Sequence, residues 1–197
     1  MARPRSDAHP IDTRARLLDA AARVFASQGY AARLEDIAAA AGIRRPSLLY
    51  HFPTKDALYA EVIQSRFGAL SAALAEAMAS GQGFAERVVA LERGFVAFVD
   101  QNPDFAALLL REILDGQGPG RALLLEGAVP LLDRLDAFLV SEGGALLRPG
   151  LPRRALLLQV ATHALVRAAS GPLRAPLWGD EDAACSVAQS LFIQEKP

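Results

Sequence analysis

Thiol and imidazole groups, the usual components of catalytic and metal sites, are scarce in this sequence. There is one cysteine, Cys185, and there are three histidines among 197 residues. One cysteine cannot form an intramolecular disulfide, and these few groups are too sparse for a zinc cluster or a nucleophilic site. We therefore expect no metal and no cofactor, and an enzyme of this sequence would have little from which to build a site.

Long apolar runs are absent as well. The sequence has no stretch of about 18 apolar residues, which a membrane-spanning helix needs, and its first residues, MARPRSDAHPID, lack the apolar segment of a secretory signal. We expect a cytoplasmic protein that does not enter a membrane. Hydrophobic residues still make up 52% of the chain and charged residues 22%, which excludes a disordered polypeptide.

The charged residues are unevenly distributed along the chain. Residues 1–60 contain nine Lys and Arg against six Asp and Glu, whereas residues 61–197 contain 12 basic against 16 acidic side chains. A basic N-terminal segment on an acidic body is typical of a protein that meets an anionic partner with that segment alone.

Helical periodicity runs along the whole chain, and no segment shows the alternation of a strand. Leu17, Ala21, Val24 and Phe25 fall at i, i+4, i+7 and i+8, which is one face of a helix. Gly, Pro and Asn residues interrupt the pattern where helices should end. We predict an all-α protein of about nine helices, over about residues 13–28, 34–41, 45–52, 54–78, 84–101, 104–115, 121–142, 153–169 and 180–192.

The segment IAAAAGIRRPSLLYHF, residues 37–52, predicts a helix-turn-helix. Gly42 ends one short helix, and Pro46, which lacks the backbone N–H that an interior helical residue donates, marks the first turn of the next. Apolar residues on both helices are available to pack inwards. In such a unit the second helix enters the major groove of DNA with its N-terminal residues towards the base edges.

The polar residues of this segment suit a contact with DNA. Arg44 and Arg45 lie at the start of the second helix, where a guanidinium can bind O6 and N7 of guanine. Further donors to phosphate follow, namely Ser47, Tyr50, His51 and Lys55. Two alternatives stay open: the arginines could be solvated surface charges, and Tyr50 could pack on the first helix.

Two segments resemble the TetR/AcrR family of bacterial transcriptional regulators: TRARLLDAAARVFASQGY and LEDIAAAAGIRRPSLLYHFPTKDAL. The resemblance covers about residues 13–65, and beyond residue 70 it is one of architecture only. It implies a homodimer that usually represses transcription and whose two DNA-binding heads change their spacing when a small molecule binds. The implied domains are a DNA-binding domain at 10–70, with its helix-turn-helix at about 33–52, and an effector-binding and dimerisation domain at 71–197.

The sequence departs from the family pattern at three positions. Arg33 or Leu34 stands where the family usually has Thr or Ser, Arg44 replaces the capping Ser or Thr of the second helix, and Leu49 replaces a phosphate-binding Tyr. The recognition helix therefore loses a capping side chain. We expect DNA contacts from Arg33, Arg44, Arg45, Pro46, Ser47, Tyr50, His51 and Lys55.

The C-terminal half is rich in Ala, Leu, Val and Phe, so a small, mainly hydrophobic effector is the expected ligand. Our candidate ligand contacts are Phe95, Phe98, Phe105, Arg111, His163 and Arg167, with Glu112, Gln159 and Thr162 as further polar candidates. The aromatic residues are better explained as core than as a ligand pocket, and His163 is at least as well explained as a core or interface residue.

Small residues near the C-terminus predict a two-fold homodimer, because they let helices pack closely. The residues concerned are Leu157, Val160, Ala161, Ala164, Leu165 and Ala168 on one helix, and Ala184, Val187, Ala188 and Leu191 on the last. The operator should then be an inverted repeat. Three functions are weighed: a ligand-responsive dimeric repressor, a regulator of the same fold that acts through protein partners without an effector, and an all-helical enzyme.

Overall fold

The computed structural model describes residues 10–81, 83–115, 119–179 and 190–193 of the chain. Its helices are α1 (Pro10–Gln28), α2 (Leu34–Ala40), α3 (Arg45–His51), α4 (Lys55–Ala79), α5 (Phe84–Gln101), α6 (Pro103–Asp115), α7 (Gly120–Gly143), α8 (Arg153–Ala169) and α9 (Arg174–Trp178). None of these described helices combines the length and the apolar character that a bilayer span requires. Within the described residues no strand occurs beyond an isolated bridge between Leu147 and Ile193, and the all-α prediction is confirmed.

The C-terminal region differs from the sequence-based prediction. The sequence analysis does not predict α9, because Gly171 and Pro172 end the preceding helix and the next clear helical pattern begins only near Asp180. In the structure, Gly171 has a φ of +51°, and the chain forms one further short helix directly after it. Most of the predicted helix at 180–192 lies outside the described residues. The part that is described, residues 190–192, is helical.

One long helix, α4, joins the N-terminal region to the rest of the chain. Its start is capped by Thr54, whose Oγ1 accepts a hydrogen bond of 3.1 Å from the N–H of Ala57. Its buried face begins with Leu58 and continues to Leu74 without a break at residue 70. The division into two domains at residue 70 stays a prediction, and α4 would cross it.

A single large hydrophobic core extends from α1–α3 through α4 into α5, α6 and α8. A second, smaller cluster is centred on Phe84, Val88, Leu139 and Phe192. We call α1–α3 the head and α4–α8 the body. Because the first core is continuous, side chains of the head and of the body are packed against one another.

Candidate nucleic-acid interface and apolar cavity

The turn between α2 and α3 is fixed by Gly42. Its φ is +70°, in a region where a Cβ atom costs about 1–2 kcal/mol, and nothing lies within 4 Å of the place that a Cβ would occupy. The N–H of Gly42 donates to the carbonyl of Ala39 at 3.0 Å, and the N–H of Ile43 donates to that of Ala38 at 2.9 Å. These two bonds form a Schellman motif, so backbone conformation is the reason for glycine at this position.

Apolar side chains hold α2 and α3 against α1. Ile37 and Leu48 are fully buried and Phe52 is buried, and all three belong to the core that includes the inner face of α1. The guanidinium of Arg14 lies 4.7 Å from the centroid of the Phe52 ring. The buried side of α3 is therefore fixed, and its opposite side is available for contacts.

The outer side of α3 carries most of the predicted DNA-binding residues. Arg44, Arg45, Pro46 and Ser47 are exposed at its N-terminal end. Tyr50 is 86% exposed, which excludes the alternative that it packs on the first helix. The His51 ring is half-buried and lies edge-on to that of Tyr50, with centroids 5.4 Å apart. The structure thus brings these six residues onto one end and one side of a short helix.

Arg33 and Lys55 lie at the two flanks of the helix-turn-helix and differ in exposure. Arg33 is exposed. Lys55 is half-buried, its Nζ donates to the carbonyl of Ala32 at 3.4 Å, and it lies 4.3 Å from the centroid of the Tyr30 ring. The hydroxyl of Tyr30 in turn donates to Asp56, and this bond raises the pKa of Tyr30. Lys55 is therefore more than a possible donor to phosphate, because it also joins α4 to the segment that follows α1.

Neither short helix of the helix-turn-helix has a side-chain cap. Arg33 and Arg44 occupy the N-cap positions of α2 and α3 with extended backbone, and neither makes a capping hydrogen bond. The expectation that the recognition helix lacks its cap is confirmed. The stability of α2 and α3 therefore depends on their buried faces rather than on their ends.

Arg45 has a partner that the sequence analysis did not identify. Its Nε lies 3.0 Å from Oε1 of Glu35, in the first turn of α2. Both side chains are about half exposed, at 52% for Arg45 and 61% for Glu35. The two residues are ten positions apart and meet only because the Gly42 turn folds α3 back beside α2.

The body contains an apolar cavity of about 210 Å³. Its wall is formed by Leu, Val, Ile, Ala and Phe side chains of α4–α8 together with Phe192. Among the lining residues that the structure describes, Glu92 and Thr162 have polar side chains. Pockets for drug-sized ligands are typically ~300–1,000 Å³ and mainly apolar, so this cavity suits a smaller, largely apolar molecule.

The predicted aromatic ligand contacts lie at different depths. Phe95 lines the cavity. Phe105 is buried behind the wall, where its ring packs edge-on against the lining residue Phe67 with centroids 5.3 Å apart. Phe98 packs edge-on against Phe105, at 6.2 Å. For Phe98 and Phe105 the structure supports the alternative interpretation, that of core residues.

The predicted polar ligand contacts have partners away from the cavity. Nη2 of Arg167 donates to Asp100 at 2.9 Å, and Nε2 of His163 accepts a hydrogen bond of 3.0 Å from the indole N–H of Trp178. The third, Arg111, contacts the head. These three side chains make helix–helix contacts and do not line this cavity, and their role towards a ligand stays a prediction. Glu92 is the lining residue that the sequence analysis missed, because a charge on an amphipathic helix normally faces water.

Helix α6 touches both the cavity and the head. Leu109 and Ile113 line the cavity. On the same helix, Arg111 donates to the carbonyl of Ala26 at 3.4 Å and to that of Ser27 at 3.0 Å. These carbonyls belong to the last turn of α1, where a cation is favourable to the helix dipole. Helix α6 thus forms a direct link between the cavity wall and the end of α1.

A buried polar pair forms a second link, between α6 and α4. Glu112 of α6 is 5% exposed and accepts a hydrogen bond from the hydroxyl of Tyr59, which is fully buried on α4. Burial, followed by the hydrogen bond to the Glu112 carboxylate, raises the pKa of Tyr59 well above its usual value of 10. The ring of Tyr59 also packs edge-on against Phe25 of α1, with centroids 4.7 Å apart.

The residues of α8 that were predicted to form the dimer contact face the interior of the chain instead. Leu157, Val160, Ala161 and Leu165 line the cavity, and Ala164 and Ala168 are buried in the core. These small residues therefore pack within the chain rather than against a second copy. The exposed residues of α8 are instead Arg154, Ala155, Leu158, Gln159, Thr162, His163 and Val166, of which Leu158 and Thr162 also line the cavity. Of the residues named on the last helix, 184, 187 and 188 lie outside the described residues, and Leu191 packs on the smaller core cluster.

Comparison with known proteins places this arrangement in a family. Residues 17–62, which run from α1 into α4 and include all of α2 and α3, match the family described as bacterial regulatory proteins, tetR family. The helix-turn-helix segment of the chain is therefore of the TetR type. Similarity also reaches an HTH-type transcriptional activator, FasR, of Mycolicibacterium smegmatis, which is 33% identical over 92 residues. That segment is 46% of this chain and 42% of FasR, so the match spans less than half of that relative.

Solved structures of TetR-family proteins share the fold over nearly the whole chain. A TetR-like regulator from Rhodococcus sp. RHA1 superposes with a TM-score of 0.69 at 24% identity and covers 96% of both chains. The ketosteroid transcriptional regulator KstR2 of Mycobacterium tuberculosis has a TM-score of 0.73 at 22% identity, over 97% of this chain and 100% of its own. FadR from Bacillus halodurans, a fatty acid degradation regulator, has a TM-score of 0.73 at 18% identity, over 90% and 96%. At these identities the likeness establishes the fold alone.

Proposed function

We propose that this chain is a sequence-specific, DNA-binding transcriptional repressor that works as a homodimer and leaves its operator when a small apolar ligand enters the cavity. One observation carries most of the proposal. The N-terminal end of α3 presents Arg44, Arg45 and Ser47 to solvent, while Leu48 directly behind them is fully buried. A rigid helix end with two guanidinium groups suits the major groove, where such groups bind guanine.

A second copy of the chain is the proposed partner of the outer side of α8 and α9. Large apolar side chains are exposed on these helices, namely Leu158, Val166, Leu173 and Leu177. Exposed apolar residues grouped on neighbouring helices favour an isologous contact, which would place two copies of α3 about a two-fold axis. The operator would then be an inverted repeat with half-site centres at least about one helical turn apart, ~10 bp.

The contact between cavity and head supports a response to ligand. A molecule that displaces Leu109 or Ile113 shifts α6. Such a shift moves Arg111 relative to the carbonyls of α1 and Glu112 relative to Tyr59. A ligand changes DNA affinity only if it binds one of the two arrangements better than the other. We propose that the arrangement with the filled cavity is the one that binds DNA less tightly.

The printed descriptions of relatives bear on the ligand and on the direction of regulation. The description of KstR2 names ketosteroids, and that of FadR names fatty acid degradation. Ketosteroids and fatty acids are both largely apolar, which agrees with the lining of this cavity. FasR, in contrast, is described as an activator, so activation is the second candidate. A regulator without an effector is disfavoured by the cavity, and an enzyme by the scarcity of histidine and cysteine.

The test combines DNA binding with filling of the cavity. A duplex selected from a randomised library by the wild type is titrated in the presence of medium-chain fatty acids of several lengths as probes. We expect at least one probe to weaken DNA binding and to raise the melting temperature of the free protein, because it binds the folded state. Ala161→Phe, which places a ring in the cavity, should abolish both effects.

Ala137→Phe is the matched control, since Ala137 is exposed on α7 and does not line the cavity. This variant should respond as the wild type does. If Ala161→Phe keeps the full response, the ligand binds elsewhere and the role of the cavity is wrong. Expression of a reporter gene under the selected operator should rise when the regulator is deleted. If expression falls instead, the second candidate, activation, is correct.

A further inference from the structure

The ion pair between Glu35 and Arg45 connects the two helices of the helix-turn-helix at the surface proposed to meet DNA. Arg45 is the first residue of α3, and Glu35 lies in the first turn of α2. The two groups are closest between Nε of the guanidinium and Oε1, at 3.0 Å. In the free protein an exposed ion pair of this kind contributes little to stability, so its consequence should be sought in the complex with DNA rather than in the fold.

The position of the Glu35 carboxylate determines how the guanidinium is presented. A guanidinium has five N–H donors in a rigid planar fork. Since the Glu35 carboxylate lies nearest to Nε, the end of the fork with its two terminal nitrogens remains available. That end matches the O6 and N7 acceptors of guanine, which accept two parallel hydrogen bonds. Glu35 therefore restricts Arg45 to the orientation that is useful for base recognition.

The charge of Glu35 acts in the opposite direction on DNA in general. A carboxylate beside the DNA surface is repelled by the phosphates, whatever the base sequence. On a duplex that offers a guanine to Arg45, the hydrogen bonds of Arg45 offset this repulsion. On a duplex without that guanine, the repulsion is not offset. We propose that Glu35 is a positioning and specificity-determining residue: it orients Arg45 towards guanine and weakens binding to DNA that lacks one. The inference rests on the proposed function, in which α3 enters the major groove.

Two substitutions of Glu35 separate orientation from charge. Glu35→Gln removes the charge but keeps an oxygen that can accept from Nε of Arg45, whereas Glu35→Ala removes both. The matched controls are Asp36→Asn and Asp36→Ala, because Asp36 is exposed in the same turn of α2 and carries the same charge. Each variant is titrated against the duplex selected by the wild type, against single-base variants of that duplex and against a scrambled duplex.

We expect both Glu35 variants to bind the scrambled duplex about 3- to 10-fold more tightly than the Asp36 controls do, because they remove repulsion at the base-reading surface. Glu35→Ala should also lose about 5-fold or more of the preference at one base position per half-site, which one guanine contact supplies. Glu35→Gln should retain most of that preference. In an Arg45→Ala background, Glu35→Ala should no longer change base preference.

Three results would overturn the proposal. The first is equal effects of the Glu35 and Asp36 variants on all duplexes. The second is full base preference in Glu35→Ala, and the third is the same loss of preference with and without Arg45. If the wild type selects no sequence at all, the proposed function itself fails, and the role of Glu35 falls with it. Thermal unfolding of each variant distinguishes these outcomes from loss of the fold.

Discussion

In the head, small side chains let the helices approach closely, whereas in the body larger side chains surround a cavity. Ala20, Ala21 and Ala22 of α1 are buried to 2% exposure or less, which lets the helices that contact α1, namely α2, α4 and α6, approach its backbone closely. The body encloses about 210 Å³ between α4–α8. Close packing restricts the helices of the head to one arrangement, so the side chains on its surface keep fixed positions relative to one another. A cavity permits more than one packing of its wall, which is what a ligand-responsive region needs.

The largest expected effect tests this difference in packing directly. Leu48→Ala in the head should lower the free energy of unfolding by ~2–5 kcal/mol, the usual cost for a leucine in a tightly packed core. Leu70→Ala should cost about 2 kcal/mol or less, although Leu70 is equally buried, because one side of its side chain already faces the cavity and has fewer contacts to lose. Urea unfolding of both variants measures the difference, and equal losses would contradict the contrast between head and body.

Removal of the buried hydroxyl at the junction should have the next largest effect. Tyr59→Phe keeps the ring that packs against Phe25 but leaves the Glu112 carboxylate, at 5% exposure, without this donor. We expect a loss of ~1–3 kcal/mol, typical for a buried polar group that loses its partner. Tyr30→Phe is the control, because its hydroxyl bonds to Asp56 at the surface. A larger loss in Tyr30→Phe than in Tyr59→Phe would show that the buried pair does not stabilise the junction.

The same hydroxyl predicts a dependence of stability on pH. The pKa of Tyr59 in the folded state lies above its value of 10 in the unfolded state, so the folded state holds this proton more tightly. Its contribution is complete below about pH 10 and is lost as the pH rises above it. Chemical denaturation between about pH 8 and pH 11 should therefore show a steeper alkaline loss in the wild type than in Tyr59→Phe. Parallel curves would refute this assignment.

The head should respond in DNA binding rather than in stability when its exposed arginine is removed. Arg45→Ala should cost ~1–3 kcal/mol on the selected operator and relax the preference at one base position per half-site. The fold should be retained, because the side chain is half exposed. Titration against the selected and scrambled duplexes measures the effect. A uniform loss on both duplexes would mean that Arg45 binds phosphate instead.

Lys55 should give the smallest effect on sequence preference. Lys55→Ala should weaken the binding of selected and scrambled duplexes about equally and lower the salt dependence by ~1 per contact, or ~2 per dimer. Because Lys55 also binds the carbonyl of Ala32 and the ring of Tyr30, we expect a small accompanying loss of stability, ~0.5–1.5 kcal/mol. An unchanged salt dependence would leave Lys55 with a structural role alone.

The head could be predicted from the sequence far better than the body. Gly42, Pro46 and the apolar spacing between them act within one short segment, so local rules determine α2, the turn and α3. The cavity wall combines residues of five helices, and its membership depends on how each helix is rotated about its axis. Ala161 illustrates this limit: its small size suggests close packing, but whether against a second chain or within its own follows only from the assembled fold.

The same limit explains why partners were missed in both regions. Glu35 meets Arg45 across a turn, and Arg111 meets α1 across more than 80 residues of sequence. A single sequence shows the chemistry of such residues but not which of them come together. Arg33, Arg44, Arg45 and Tyr50 are therefore exposed as a DNA contact requires, whereas Lys55 is half-buried and the polar residues assigned to a ligand contact other helices.

The central claim, that two copies of a rigid head bind one symmetric operator through α3, is tested most directly by hydroxyl-radical footprinting of the wild type on its selected duplex. The account predicts two protected segments related by two-fold symmetry, with centres at least ~10 bp apart, and protection that weakens steeply as salt rises from about 50 to 200 mM. Arg45→Ala should reduce protection of both segments alike. A single unsymmetrical footprint, or protection that does not depend on salt, would contradict it.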